Sequence, residues 1–178
     1  MSRPTIAEAR GADDLAAVRN LCEGFLAWLK ERYPAERWMI DRYYAPERWA
    51  AVLDGLPREH APPAGEILLA RLDGAPVGCA MLRPLEPGIC EMKRLFVRSE
   101  ARGHAVGRSL CRRLMALAAE RGYRLMRLDT AFRHDEALGL YAALGFRRRD
   151  AYYDCPEDIR PLLVFMESEL PGGSVPIA

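Results

Sequence analysis

Between residues 15 and 29 apolar side chains recur at steps of three and four. Leu15, Val18, Leu21, Cys22, Phe25, Leu26 and Leu29 therefore share one face of a predicted helix. Upstream, "PTIAEA" alternates as a short strand closed by Gly11, with Asp13 or Asp14 placed to cap the helix. Pro34 ends the helical pattern. After an aromatic-rich stretch from Trp38 to Trp49, Pro46 opens a second short helix expected to run through Leu53, and "GLPREHAPPAG" reads as a loop. From Glu66 the period falls to two. "EILLARLD", a "GA" reversal and "PVGCAMLRPL" predict a hairpin, to which "EPG" and "ICEMKRLFV" add a third antiparallel strand.

Past a glycine-containing loop, Val106, Leu110, Leu114, Leu117 and Ala118 form a helical stripe that Gly122 stops. "YRLMRLDT" is a short strand, "HDEALGLYAALG" a helix with Ala137, Leu138, Tyr141 and Leu144 in line, and "FRRR" and "LLVFMESEL" are closing strands. The segment from "ICEMKRLFV" to "YRLMRLDT" is thus strand, helix, strand, a crossover that makes its two strands parallel. The expected class is α/β (α+β): a mixed, mainly antiparallel central sheet with one parallel strand–helix–strand crossover and helices on both faces. One domain is expected over residues 1–170, with a flexible tail at 171–178.

Composition narrows the function. A chain of 178 residues, half of them apolar, can bury a sizeable core without staples. Its five cysteines are odd in number, widely spaced and without a C-x-x-C pair, which argues against a disulfide framework and against a zinc cluster, so no metal is expected. No uncharged apolar run reaches the roughly 18–20 residues that span a bilayer. A formal net charge of +1 gives no global pull toward nucleic acid or membrane. A cytoplasmic protein is expected, and any anion site must be local.

The loop "RSEARGHAVGRSL" is the place to look for one. It leaves a strand and opens a helix, where backbone N–H groups lack partners and the dipole favours negative charge. Gly103 and Gly107 remove Cβ atoms, and Arg102 and Arg108 bring positive charge. Glycine also serves strand-to-helix turns for conformational reasons alone. No G-K-[ST] follows, and the third glycine of G-x-G-x-x-G is missing.

"LFVRSEARGHAVGRSL" resembles motif A of the Gcn5-related N-acetyltransferases, an apolar strand followed by R/Q-x-x-G-x-G/A, here Arg102-Gly103-His104-Ala105-Val106-Gly107. "ALGLYAALGF" resembles the Tyr-x-x-x-Gly-Phe ending of motif B, with Tyr141, Gly145 and Phe146. The resemblance implies acetyl-CoA as cosubstrate. It places the pyrophosphate on the amides of Gly103, His104, Ala105, Val106, Gly107 and Arg108 beside Arg102. The pantetheine arm would lie along Leu95, Phe96 and Val97 as the two parallel strands splay. Ala105 stands where the family usually has glycine, harmless at negative φ and costly otherwise. His134 stands where relatives often carry asparagine, either to cap its helix or to touch the cofactor.

Acetyl transfer to an amine needs a neutral amine, a stabilised oxyanion and a proton for the departing thiolate. Glu91, within an apolar strand, is the base candidate if desolvation raises its pKa; the alternative is a solvent-facing carboxylate beside Lys93. Oxyanion stabilisation falls to backbone N–H groups around Leu95 and Phe96. The resemblance makes Tyr141 the acid that protonates the thiolate; otherwise it packs in the helix stripe. Asp41, Tyr43, Tyr44, Tyr152, Tyr153 and Asp154 are candidates to line a cup for a cationic amine. The resulting expectation is an N-acetyltransferase acting on a primary amine of a small molecule or amino-acid-like acceptor by direct transfer in a ternary complex. Its partner is that small-molecule amine, and a homodimer is compatible with the reading. The alternatives are a non-catalytic acyl-CoA sensor or partner-binding module, and a protein lysine or N-terminal acetyltransferase.

Overall fold

The computed structural model describes residues 3–171, so most of the expected tail lies outside the described residues. Strand β1 (Thr5–Glu8) leads into α1 (Gly11–Arg32), α2 (Arg37–Tyr43) and α3 (Pro46–Glu59). The meander β2 (Glu66–Leu72), β3 (Ala75–Glu86) and β4 (Ile89–Val97) follows. Helix α4 (Val106–Glu120), β5 (Leu125–Ala131), α5 (Asp135–Ala143), β6 (Arg147–Arg149) and β7 (Leu163–Glu169) complete the chain. The seven strands form one sheet in the order β1-β2-β3-β4-β5-β7-β6, antiparallel throughout except for β4 and β5. This is the expected mixed sheet.

Alternation along the central strands feeds two cores, because successive side chains leave opposite faces. Ile67, Leu69, Cys79 and Met81 meet Val18, Leu21, Leu53 and Leu56 of α1 and α3. Leu68, Ala70, Ala80 and Leu82 meet Leu110, Leu114 and Tyr141 of α4 and α5. Each fully buried leucine contributes roughly 2–3 kcal/mol, so both helical layers are firmly held.

Four local details differ from the sequence reading. The reversal after β2 falls on Asp73-Gly74, both at positive φ, rather than on "GA", since a two-residue hairpin needs that backbone twist. Helix α1 starts at Gly11, and Asp14 acts from inside the first turn by accepting the Arg10 N–H at 2.8 Å. Helix α3 continues past Leu53 and through Pro57 to Glu59, its last turn anchored by buried Leu56 and by the His60 N–H on the Leu56 carbonyl. The aromatic stretch holds a short helix, α2, behind the turn at Pro34–Glu36.

Helices α4 and α5 end alike. The Tyr123 N–H reaches the Ala118 carbonyl and the Gly122 N–H that of Ala119; Phe146 and Gly145 repeat the pattern on Tyr141 and Ala142. Both are Schellman stops, with glycine in the left-handed region at 85° and 92°. Tyr-x-x-x-Gly-Phe thus has a folding role of its own: Gly145 closes α5, and Phe146 folds back on Tyr141 with ring centroids 5.8 Å apart. Among the described residues no helix is long and apolar enough to cross a membrane.

Candidate active site

The site begins where β4 and β5 part. Their parallel pairing covers Ile89–Leu125, Cys90–Met126 and Glu91–Arg127 and then stops, whereas β5 stays paired with β7 through Ala131. A bulge in β4 bends it away. Cys79 of β3 faces Phe96 and Met81 faces Lys93, so two steps on β3 oppose three on β4, and Arg94 takes a φ of 52° to absorb the extra residue. From Met92 onward the β5-facing edge of β4 has no strand partner, leaving its main-chain groups open to an extended ligand.

A cavity of about 420 Å³ lies in this wedge. Met92, Lys93, Arg94 and Leu95 of β4 form one side, Asp129, Thr130 and Ala131 of β5 another, and α1 to α3 cover it with Phe25, Tyr43, Tyr44, Trp49 and neighbouring residues. Tyr141 and His134 line it from α5 and the turn before it.

Glu91 is fully buried, with 0% of its surface exposed, and is not a cavity residue. Its carboxylate receives Arg83 Nε at 2.6 Å and the Tyr152 hydroxyl at 2.6 Å, with Lys93 Nζ at 3.3 Å. Burial alone pushes its pKa up, but Lys93, Tyr152 and Arg83 outweigh burial and hold the carboxyl below the usual range. Both sequence expectations are thereby corrected: Glu91 does not face solvent, and its pKa is not raised. Lys93 continues the line outward, its ammonium 2.7 Å from Asp129 Oδ1 at the cavity wall.

Tyr141 keeps 6% of its surface and lines the cavity. Burial raises the pKa of its phenol, so it stays protonated, and its hydroxyl has no hydrogen-bond partner among the described residues. His134 holds the N-cap position of α5 but caps nothing with its side chain. Its Nδ1 lies 3.2 Å from Thr130 Oγ1 and its ring packs against Trp28 and Tyr33, while Nε2 is buried without a partner. Burial lowers its pKa.

The 102–108 loop sits beyond the end of β4, outside the cavity. The N–H groups of Gly103, Ala105, Val106, Gly107 and Arg108 find no acceptor among the described residues, so a cluster of donors is left at the start of α4. The two glycines differ in surroundings. Gly103, at a φ of 83°, faces open space, whereas a Cβ at Gly107 would meet Leu140 and Val97 at 3.4 and 3.7 Å. Those are ordinary van der Waals distances, so packing against α5 and β4 would admit a methyl at Gly107. Ala105 adopts φ 55° and ψ 19°, the costly conformation. His104 keeps to its loop, with Nδ1 3.3 Å from the Arg102 carbonyl. Arg102 is exposed and stacks over the Trp28 ring at 5.5 Å. Leu95 lines the cavity; Phe96 and Val97 do not.

Two of the six residues expected in the amine cup line the cavity, Tyr43 and Tyr44. Asp41 binds Lys30 and Arg37, Tyr152 and Tyr153 pack on Phe165, and Asp154 is exposed. Sequence reasoning missed Asp129, Arg94 and Arg48. A charged residue inside an apolar strand was the available signal for Asp129, whereas Arg94 acquires its position only through the bulge. His60, with no partner visible in sequence, is 1% exposed and supports that bulge. Its Nδ1 lies 2.9 Å from the Leu82 carbonyl, which can only accept, so Nδ1 carries the proton and Nε2 receives Arg94 Nη1 at 3.4 Å.

The acetyltransferase (GNAT) family model matches residues 22–146. An IAA acetyltransferase of Azospirillum brasilense is 32% identical over 169 residues, covering 94% of this chain and 99% of its own. An uncharacterized N-acetyltransferase of Schizosaccharomyces pombe is 38% identical over 115 residues, 64% of this chain and 69% of its own. Among solved structures, the PaiA N-acetyltransferase of Thermoplasma acidophilum in complex with coenzyme A superimposes with a TM-score of 0.69 at 20% identity, over 95% of this chain and 99% of that one. That last likeness carries the fold.

Proposed function

The chain belongs to the GNAT acetyltransferase family and is an acyltransferase, and from this premise we propose that it moves the acetyl group of acetyl-CoA directly to a primary amine of a small acceptor held in the β4–β5 cavity. The carrying observation is the wedge itself, with unpartnered amides at one end, an open strand edge between, and a half-open cavity at the other. The residues present fit the cosubstrate. The free N–H groups of Gly103, Ala105, Val106, Gly107 and Arg108, with the side chains of Arg102 and Arg108, suit a diphosphate. The open β4 edge suits the amides of a pantetheine arm.

Acetyl-CoA supplies the activated thioester carbonyl. The Leu95 N–H, released from the ladder by the bulge at Arg94, donates to the negative charge that develops on the carbonyl oxygen. An alkyl ammonium of pKa near 10 costs roughly 4 kcal/mol to deprotonate at pH 7. Of the two carboxylates that line the cavity, Glu36 is paired with Arg133, and Asp129 is the one on the β4–β5 wedge; Lys93 ties Asp129 to buried Glu91, which acts as a positioning charge. The protonated Tyr141 hydroxyl, free of protein partners, donates to the departing thiolate. The modest size of the cavity, about 420 Å³, and its partial cover by α1 to α3 favour a small acceptor over a protein chain.

Calorimetric titration tests this. Acetyl-CoA is expected to bind at micromolar concentration, Arg108→Glu to weaken it at least tenfold, and thiol release to follow on adding an amine. No binding at millimolar acetyl-CoA overturns the reading.

A further inference from the structure

Four cations and two carboxylates line the cavity, and their pairing is uneven. Lys93 is neutralised by Asp129 and Glu91, and Arg133 by Glu36. Arg94 and Arg48 form no ion pair among the described residues. Arg94 is half-buried in the cavity wall, and among the described residues its guanidinium has one polar partner, the lone pair of His60 Nε2, which pins it without neutralising it. An arginine at φ 52° is itself unusual, since glycine or asparagine relieves that conformation more readily. A held, unneutralised fork of donors is what recognition of a planar anion requires. Arg48, exposed on the first turn of α3, adds a second cation at the rim. Around them the wall is mostly apolar, with Phe25, Tyr44 and Trp49 nearest the α1–α3 side.

We infer that the acceptor is a hydrophobic α-amino acid whose carboxylate is held by Arg94, with Arg48 at the rim, and whose side chain fills the aromatic wall. The inference rests on the acyl-transfer reading, because it places the acceptor's amine in the same cavity. With the carboxylate on β4, the amine reaches across the wedge toward Asp129, whose Oδ1 is held by Lys93, so the ammonium joins that ion pair through the carboxylate while the guanidinium of Arg94 takes the other end of the zwitterion. Lys93 cannot replace Arg94 in this role, being saturated by two carboxylates.

The test compares L-phenylalanine, L-leucine and L-methionine with their amides and with the corresponding decarboxylated amines. Thiol release gives kcat/KM, and calorimetry gives binding to the enzyme–CoA complex. The amide's amine loses its proton more easily than that of the free acid, so a preference for the acid runs against intrinsic reactivity. Wild type is expected to favour the acids at least 30-fold. Arg94→Gln should lower kcat/KM for the acids about 100-fold, leave the amides within threefold and leave acetyl-CoA affinity unchanged. Amides or amines used as well as acids overturn the inference while the transferase reading stands. A loss equal across the panel in Arg94→Gln also overturns it, since Arg94 then serves only the bulge. If Arg94→Gln does not fold, the wild-type panel decides alone. Acids that bind the CoA complex without turnover support the carboxylate site and count against the transferase reading. Failure of every acid to bind at millimolar concentration overturns the inference.

Discussion

Ala105 carries a methyl group through φ 55°, a conformation that costs a non-glycine residue about 1 kcal/mol or more. Its N–H is one of the free donors at the start of α4, so the strained backbone is also the part of the loop that aims at an anion. Ala105→Gly is therefore expected to raise stability by about 1 kcal/mol, a midpoint increase of roughly 2–4 °C, with acetyl-CoA affinity held or improved. A lower midpoint in a thermal melt would show that the methyl makes a compensating contact. Tyr141 tests a different claim. Its ring packs on Phe146 while its hydroxyl has no protein partner, so Tyr141→Phe should keep the fold and the cofactor affinity but lower kcat about 100-fold. Wild-type turnover in that variant would return Tyr141 to a purely packing role.

At the scale of elements, the end of α5 joins folding to chemistry. Tyr141 and Phe146 are the two residues that a Schellman stop brings together, and Gly145 between them must be left-handed. A Cβ at Gly145 would meet only Ser168 Oγ at 3.6 Å, so the penalty for Gly145→Ala is conformational: about 1–2 kcal/mol, read as a melting midpoint lower by roughly 2–8 °C. An unchanged midpoint would mean that α5 has another way to end. Such stops are legible in sequence, because only a glycine satisfies them at low cost, and so were α4, α5 and the meander, whose periods are unambiguous. The bulge in β4 was not legible. Nothing in "EMKRLFV" announces a positive φ at Arg94, and the register shift emerges only when β3 is laid beside it. Asp129, Arg94 and Arg48 therefore came to light through packing, whereas the loop and Tyr141 were visible as motifs.

Among the described residues Glu66, Glu91 and His60 are acid-range titrating side chains that are all but completely buried, and they give the stability of the fold a defined dependence on acid. Glu66 binds Arg10, Arg121 and the Ile67 N–H, and Glu91 binds Arg83, Lys93 and Tyr152; in both, these partners outweigh burial and lower the pKa. Their contribution persists until pH falls below the ordinary carboxylate value near 4.5. His60 acts earlier. Burial depresses its pKa from 6.5 to about 4, so the unfolded chain takes up a proton first as pH falls, and the native state loses about 3 kcal/mol by pH 4. His134, lowered by burial as well, pulls in the same direction. Urea unfolding of the wild type is thus expected to weaken between pH 6.5 and 4.5, before the buried carboxylates begin to contribute. His60→Gln, which can still donate to the Leu82 carbonyl and accept from Arg94, should flatten that slope by most of the His60 share and retain the slope due to His134. Identical slopes would place the acid sensitivity elsewhere. Because His60 pins Arg94, protonating His60 withdraws the lone pair that the guanidinium uses, so acid should loosen the bulge before it unfolds the sheet.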